Sequence, residues 1–276
     1  MKKMSLVLAL MIGTIFLISS CKKNTTTEND FSATKDDAFA EATFDNVTSI
    51  GDEAYTLSTS GTYKSTEGRI FLSDCATVTI DTTGFPRVMT IDFGDTNCLG
   101  NDGRYRRGKI IISFTGRYWH PGTIITTTFD DYYVNDNQVE GSKVVTNNGF
   151  NDSGNMNWDI AVNGIITLAD GEGTISWNSQ RNREWIEGIS TPFNRWDDIY
   201  LITGQATGER ANGLHWTRHI TNPLRVELAC RFIVSGTMEI TPEGRPVRIL
   251  DFGDGSCDNE ATVTVNGNTY TIHLRP

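Results

Sequence analysis

Met156-Asn-Trp-Asp-Ile-Ala-Val-Asn-Gly-Ile-Ile-Thr-Leu168 alternates along nearly its whole length. Met156, Trp158, Ile160, Val162, Ile166 and Leu168 fall on one side of an extended chain, and Asn157, Asp159, Asn163 and Thr167 on the other. Successive side chains of a strand point to opposite faces, so this segment reads as a strand with one buried face. Ala169-Asp-Gly-Glu-Gly173 then supplies turn residues. Outward from it the same grammar repeats. Residues 108–118 place Ile110, Ile112, Phe114 and Tyr118 opposite Lys109, Ser113, Thr115 and Arg117, and Val265-Asn-Gly-Asn268 is a two-residue hairpin signal. About twelve to fourteen strands follow one another from residue 69 to the C-terminus. Their links are short, which implies antiparallel neighbours, because a parallel crossover needs about a dozen residues or more. The expected fold is all-β, a large antiparallel β-sandwich or rolled β-meander with one N-terminal helix.

Two hairpins in this region resemble each other. Thr77 to Cys98 and Thr237 to Cys257 each read strand, Gly turn, Pro, strand, Asp-Phe-Gly-Asp, two small polar residues, Cys. Gly84 and Gly244 are expected to supply a left-handed turn residue, which Gly adopts without steric cost. Pro86 and Pro246 are expected to open the return strands, where a missing N–H matters least. A pair of repeats within residues 69–276 does not suggest a solenoid.

The N-terminus is a targeting segment. Lys2 and Lys3 form a charged region, Leu6 to Ile18 an apolar one, and Ile18-Ser-Ser-Cys21 resembles the bacterial lipobox. That resemblance implies cleavage after residue 20 and acylation of Cys21, so that lipid, palmitate included, holds the protein to a membrane. More than one acyl chain is needed for stable anchoring. Lys22 stands where enteric lipoproteins retained at the inner membrane carry Asp, so the outer membrane is the expected site, with the periplasmic or extracellular face open. Residues 21–35 read as a polar tether. Residues 36–68 read as a helix over 36–55 and a Ser/Thr/Gly connector; Ala40, Phe44, Val47, Gly51 and Ala54 recur at helical spacing, while Asp36, Asp37, Glu41, Asp45 and Glu53 lie mostly elsewhere. The formal charge of −10 becomes −12 once Lys2 and Lys3 are removed. Such an excess of acid argues against a nucleic-acid partner.

Cys21 apart, four cysteines remain, an even number suited to disulfides outside the cytoplasm. The repeat favours Cys75–Cys98 and Cys230–Cys257. No Cys-x-x-Cys is present, so no metal or other cofactor is called for.

Catalytic signals are weak. Asp92-Phe-Gly94 and Asp251-Phe-Gly253 spell the kinase magnesium motif without its companion loops. Asp251, Asp254, Asp258 and Glu260 crowd a glycine loop in a way that suits Ca²⁺, echoed by Asp92, Asp95 and Asp102, but short acidic side chains also cap turn amides. His215 and His219 lie about 13 Å apart on a strand, too far to share a metal. Asp130–Asp131 and Asp197–Asp198 are neighbours that point to opposite strand faces, so neither pair forms a glycosidase dyad by itself. A polysaccharide hydrolase is therefore the lesser reading and a non-catalytic binding or structural protein the greater one.

Residues 174–186 are the most unusual strand. One face carries Trp177, Ser179, Arg181, Arg183 and Trp185, the other Ser176, Asn178, Gln180, Asn182 and Glu184. Exposed, Trp177, Arg181, Arg183 and Trp185 would be a ligand face that stacks on sugars or holds an anion. Covered, they would be a cation–π and Arg–carboxylate ladder inside a sheet, which is the simpler reading.

From Cys75 onward the chain resembles secreted lipoproteins of the Bacteroidota to which no activity is assigned. The residues that carry this are Asp92-Phe-Gly, Asp102-Gly-Arg-Tyr-Arg-Arg-Gly-Lys109, Asp130-Asp-Tyr-Tyr-Val-Asn-Asp136, Val145-Thr-Asn-Asn-Gly149, Tyr200-Leu-Ile-Thr-Gly204 and Val234-Ser-Gly-Thr237. The resemblance implies an envelope location and an all-β body, and no activity. Apart from it, a binding or structural role would give the chain a glycan or another envelope protein as partner. Asp81-Thr82-Thr83 fits the short pattern associated with O-glycosylation in that phylum, which makes Thr82 a candidate for modification.

Overall fold

The computed structural model describes residues 31–60, 71–191, 195–230 and 232–274. Cys21, the targeting segment and most of the connector lie outside these residues.

One helix precedes one antiparallel sheet. The helix α1 spans Ser32–Ser60. The strands are β1 (Thr77–Asp81), β2 (Arg87–Asp92), β3 (Cys98–Leu99), β4 (Tyr105–Phe114), β5 (Ile124–Val134), β6 (Asn137–Phe150), β7 (Met156–Thr167), β8 (Thr174–Glu187), β9 (Ile199–Arg210), β10 (His215–Glu227), β11 (Ile233–Pro242), β12 (Arg248–Asp254), β13 (Glu260–Val265) and β14 (Asn268–His273). Each pairs with the next in chain order, except that β4 pairs with β2 and the short β3 sits beside it. The expected all-β architecture is therefore realised as a single rolled meander.

The sheet curls around the helix. α1 touches β2, β8 and β11, strands far apart in the order. A single apolar core also takes side chains from Val78 of β1 to Ile272 of β14. A flat sheet could place neither set together; coiling of a twisted sheet does. Ala33, Ala40, Phe44, Val47, Ile50 and Ala54 of α1 are all buried in that core. Two glycines let it close: a Cβ on Gly164 would meet the Phe44 ring at 2.0 Å, and one on Gly208 would meet the Trp216 ring at 2.0 Å.

The helix is longer than its periodicity suggests, and the tether and connector correspondingly shorter. It starts at Ser32 rather than residue 36, because Ala33 is buried and the Lys35 amide already bonds the Phe31 carbonyl. It continues through residue 60 instead of stopping at 55. The two hairpins of the repeat are structurally equivalent: Thr77 pairs with Asp92 and Thr237 with Asp251. Asp92 and Asp251 then accept hydrogen bonds from the amides of Gly94 and Gly253 at 2.8 and 2.9 Å, and Phe93 and Phe252 are buried behind them. The turns differ from expectation in one respect. Gly244 is left-handed at φ 67°, whereas Gly84 is not, and Phe85–Pro86 is a cis peptide. Disulfides join Cys75 to Cys98 and Cys230 to Cys257, as the repeat implies. Their separations of 23 and 27 residues correspond to about 3 kcal/mol each on a chain-entropy model.

Candidate functional site

The concave face of the sheet is divided. Where α1 lies, the sheet presents cations and the helix presents acids. Lys143 of β6, Arg181 of β8 and Arg218 of β10 all point inward and are buried. Asp37, Glu41 and Asp45 recur every four residues along α1 and meet them. Lys143 Nζ donates to Asp45 Oδ1 at 3.1 Å and to the Phe44 carbonyl at 3.0 Å. Arg181 pairs with Asp45 at 2.9 Å and with Glu41. Arg218 pairs with Asp37 at 3.1 Å and with Glu41. The indole N–H of Trp177 and that of Trp216 both donate to Asp37 Oδ1, at 2.8 and 3.3 Å.

The acids that lie off the apolar stripe of the helix are thus taken up by the sheet: Asp36 pairs with Arg210 and Asp37 with Arg218. Trp177, Arg181 and Trp185 are buried and do not form the exposed ligand face that the sequence offered as one reading. Trp177 is fully buried, stacked on Phe44 at 5.9 Å between centroids, with Arg218 over its ring.

The network sets the local electrostatics. Burial drives the Asp37 carboxyl above its ordinary range even though Arg218 opposes this. Desolvation also works to raise Asp45, but Arg181 and Lys143 outweigh it and hold this carboxyl well below the usual carboxylate range. About half of the Asp45 side chain remains open to solvent, which screens those charges. Burial lowers Lys143, and Asp45 offsets only part of that. Another buried cation, Arg106, is bound in bidentate fashion by Asp102 at 2.8 and 2.6 Å and reaches Asn46 of α1 at 2.9 Å. Beside it, desolvation pushes the Tyr132 hydroxyl up to about 12.

Beyond the helix, at the end of the sheet where β7 begins and β8 ends, the character changes. Trp158, Trp185 and Tyr200 form a second buried cluster with Val145, Met156 and Ile160. Cross-strand pairing builds it: Trp158 lies opposite Arg183, and Trp185 opposite Tyr200. The β4–β5 loop roofs it with Tyr118 and Trp119. Tyr118 stacks on Trp158 at 5.2 Å, and Trp119 lies 5.2 Å from Trp185 and 5.9 Å from Trp158. Asn147 of β6, almost fully buried, pins that loop. Its Nδ2 donates to the Tyr118 carbonyl at 2.7 Å and its amide to the Thr123 carbonyl at 2.9 Å. Trp119 is 48% exposed, whereas Trp158 and Trp185 are 1% and 4% exposed.

Arg183 sits inside this cluster. Its guanidinium carbon is 5.1 Å from the Tyr200 ring centroid, 5.2 Å from that of Trp158 and 5.8 Å from that of Tyr118. It makes no ion pair or hydrogen bond among the described residues, in contrast to Arg106, Lys143, Arg181 and Arg218. Its Nε is sealed from solvent without a partner, as are Trp158 Nε1, Trp185 Nε1 and Tyr118 Oη. A buried donor without an acceptor costs about 1–3 kcal/mol, and four of them meet here. Tyr200 does have an acceptor, Asp198 Oδ2 at 3.3 Å. The strand 174–186 thus contributes to two sites: Trp177 and Arg181 to the helix interface, Arg183 and Trp185 to the aromatic cluster. Tyr118 and Trp119 of that cluster were not among the sequence candidates, and Tyr118 lies in a loop, since β4 ends at Phe114.

The remaining sequence candidates have structural duties. Besides Asp92 and Asp251, Asp254 accepts from the Ser256 amide at 3.2 Å and Asp258 from the Glu260 amide at 2.9 Å, the turn-capping alternative to Ca²⁺. No group of three His, Cys, Asp or Glu side chains among the described residues is placed to hold a metal ion. Glu184 accepts from Asn151 and Asn155, both at 2.8 Å. His215 is 3.6 Å from Glu209 at the surface. Thr82 is exposed in the β1–β2 turn, where the Asp81 carboxylate accepts from the amide of Thr83 at 2.8 Å.

Fold and site together define a class: a helix-filled antiparallel meander, sealed by ion pairs along most of its concave face and aromatic at one end. No family model matches the chain, and neither a curated protein nor a solved structure matches it.

Proposed function

We propose that this chain is a non-catalytic lipoprotein of the cell envelope, held at the outer membrane through Cys21, whose β body binds a glycan at the Tyr118–Trp119–Trp158–Arg183–Trp185–Tyr200 cluster. The observation that carries the binding reading is the set of four buried, unpartnered polar atoms within one aromatic cluster. Buried polar groups in proteins are nearly always hydrogen-bonded, and exceptions ask for a reason. A polyhydroxylated ligand supplies acceptors to the indole and guanidinium N–H groups while its C–H faces lie against rings, a combination that neither an apolar ligand nor bulk packing offers. The half-exposed Trp119 gives such a ligand a ring to meet from solvent. The lipobox supports the membrane attachment, and the acidic body supports a role away from nucleic acid. Thr82 is the proposed O-glycan site on the same body.

Titration of the full mature lipoprotein in detergent with envelope polysaccharides, followed by intrinsic tryptophan fluorescence and calorimetry, tests this. Ring stacking contributes about 1–3 kcal/mol by analogy with base stacking, so Trp119→Ala should weaken binding by about 5-fold to 100-fold. Absence of saturable binding across the panel, or full affinity in Trp119→Ala, contradicts the reading.

A further inference from the structure

We infer that the ligand of this cluster is an acidic sugar, one whose ring carries a carboxylate, and that Arg183 is the residue that selects it. The inference rests on the glycan reading above and adds the ligand's charge. Three observations lead to it. First, the orphaned atoms are donors. Trp158 Nε1, Trp185 Nε1 and Arg183 Nε can only donate, and Tyr118 Oη can do so. Their complement is a ligand rich in acceptors, and an oxyanion is the strongest acceptor of all.

Second, Arg183 lacks the carboxylate partner that four buried cations of this molecule have. Arg106 has Asp102, Lys143 has Asp45, Arg181 has Asp45 and Glu41, and Arg218 has Asp37 and Glu41. Arg183 has aromatic faces in place of a carboxylate. Asp198 accepts from the Tyr200 hydroxyl at 3.3 Å, and no ion pair joins it to Arg183 among the described residues. This occurs in a chain of net charge −10, whose overall field disfavours anions, so an enclosed guanidinium ringed by aromatic faces with no acid beside it departs from the charge pattern.

Third, Arg183 is only partly buried. Its Nε is enclosed, but its terminal nitrogens are not among the atoms sealed from solvent. A guanidinium flanked by ring faces, with its outer edge reachable, presents a planar fork, which matches a carboxylate in two parallel hydrogen bonds. A single fixed cation suits a monoanion, and this favours a carboxylate over the dianion of a phosphate monoester. Within the chain, Arg183 would fix the acid group, the indole N–H groups the hydroxyl oxygens, and Trp119 the ring. The reaching residues come from β7, β8, β9 and the loop pinned by Asn147, so the site is carried by strands and one fixed loop.

Calorimetry on the full lipoprotein with tetragalacturonate, its neutral methyl ester and glucose 6-phosphate tests the inference. The expected result is at least 10-fold tighter binding of tetragalacturonate than of the methyl ester, a preference that shrinks as salt rises. Arg183→Met should abolish the preference, and Arg183→Lys, which keeps the charge without the fork, should retain part of it. The melting temperature of each variant, and the unmutated protein's own preference, keep the outcome independent of folding defects. Equal affinity for acid and ester overturns the inference but leaves the glycan reading standing, as does binding of the envelope polysaccharides when neither oligosaccharide binds. Tighter binding of glucose 6-phosphate overturns the carboxylate assignment. No binding of any sugar, the polysaccharides included, removes both.

Discussion

Replacing Trp177 by Ala probes the helix–sheet interface at its most enclosed point. The side chain is fully buried, stacks on Phe44 at 5.9 Å, and donates to Asp37 at 2.8 Å. Truncating a buried Trp costs about 3–5 kcal/mol through lost transfer energy and the cavity left behind. The hydrogen bond goes to a charged acceptor and adds about 1.5–3 kcal/mol, overlapping in part with the first figure. A loss of about 5 kcal/mol is expected, which in a chain of this size lowers the melting temperature by about 10–20 °C. Trp177→Phe separates the contributions, since it keeps a ring on Phe44 and gives up only the N–H and some volume; it should cost about half as much. Trp119→Ala is the matched control, because about half of that ring is already in solvent, and it should cost no more than about 1–2 kcal/mol. Circular dichroism melts and urea titrations of the three variants read this directly. A drop below about 4 °C for Trp177→Ala, or a larger drop for Trp119→Ala, would refute a helix-sealed core.

Three further outcomes are expected. Asp45→Asn leaves buried Lys143 and Arg181 short of an acid; because Asp45 itself is half open to solvent, the loss is discounted to about 2 kcal/mol at neutral pH. The folded-state pKa of Asp45 is depressed, so its stabilisation is complete above the unfolded value of about 3.9 and disappears as pH falls below it; urea titrations from pH 7 to pH 2 should therefore show a shallower acid loss in Asp45→Asn than in the unmutated protein. Cys21→Ser should give a precursor that no fatty-acid probe labels, and normal labelling would contradict lipid attachment. The peptide containing Thr82, taken from native cells, should carry added sugar mass, and an unmodified mass would end that proposal.

Much of the fold is legible in the sequence, and the reasons are local. Alternation in 156–168, short polar links and paired Asp-Phe-Gly hairpins each report on a few neighbouring residues, and they define the strands, their antiparallel pairing and both disulfides. The helix interface is different. Trp177 and Asp37 are separated by 140 positions, and nothing near either one announces the other. A signal does exist in retrospect: acids at 37, 41 and 45 make a stripe along one side of a helix, and Lys143, Arg181 and Arg218 are cations at inward positions of three strands. Read together they are two halves of one ion network; read singly they suggest a solvated helix face and a sugar-binding strand. The division of strand 174–186 between two sites is not legible either, because it depends on where the helix stops covering the sheet. The roofing role of Tyr118 and Trp119 depends on Asn147, whose side chain acts on a loop about thirty positions earlier. Gly84 shows the limit of turn reading, since its hairpin closes without the left-handed residue that its counterpart Gly244 supplies.

The most direct test is the indole N–H region of a ¹⁵N–¹H correlation spectrum, in which each of the six tryptophans gives one signal. Trp177 and Trp216 donate to the buried Asp37 and should exchange slowly and stay fixed when an acidic oligosaccharide is added. Trp158 and Trp185, whose N–H groups have no partner among the described residues, and the roofing Trp119 should shift progressively to saturation, with Arg183→Met removing the shift. Unmoved signals from Trp158 and Trp185 at saturating sugar, or movement confined to Trp177 and Trp216, would contradict the assignment of the ligand site to the aromatic end of the sheet.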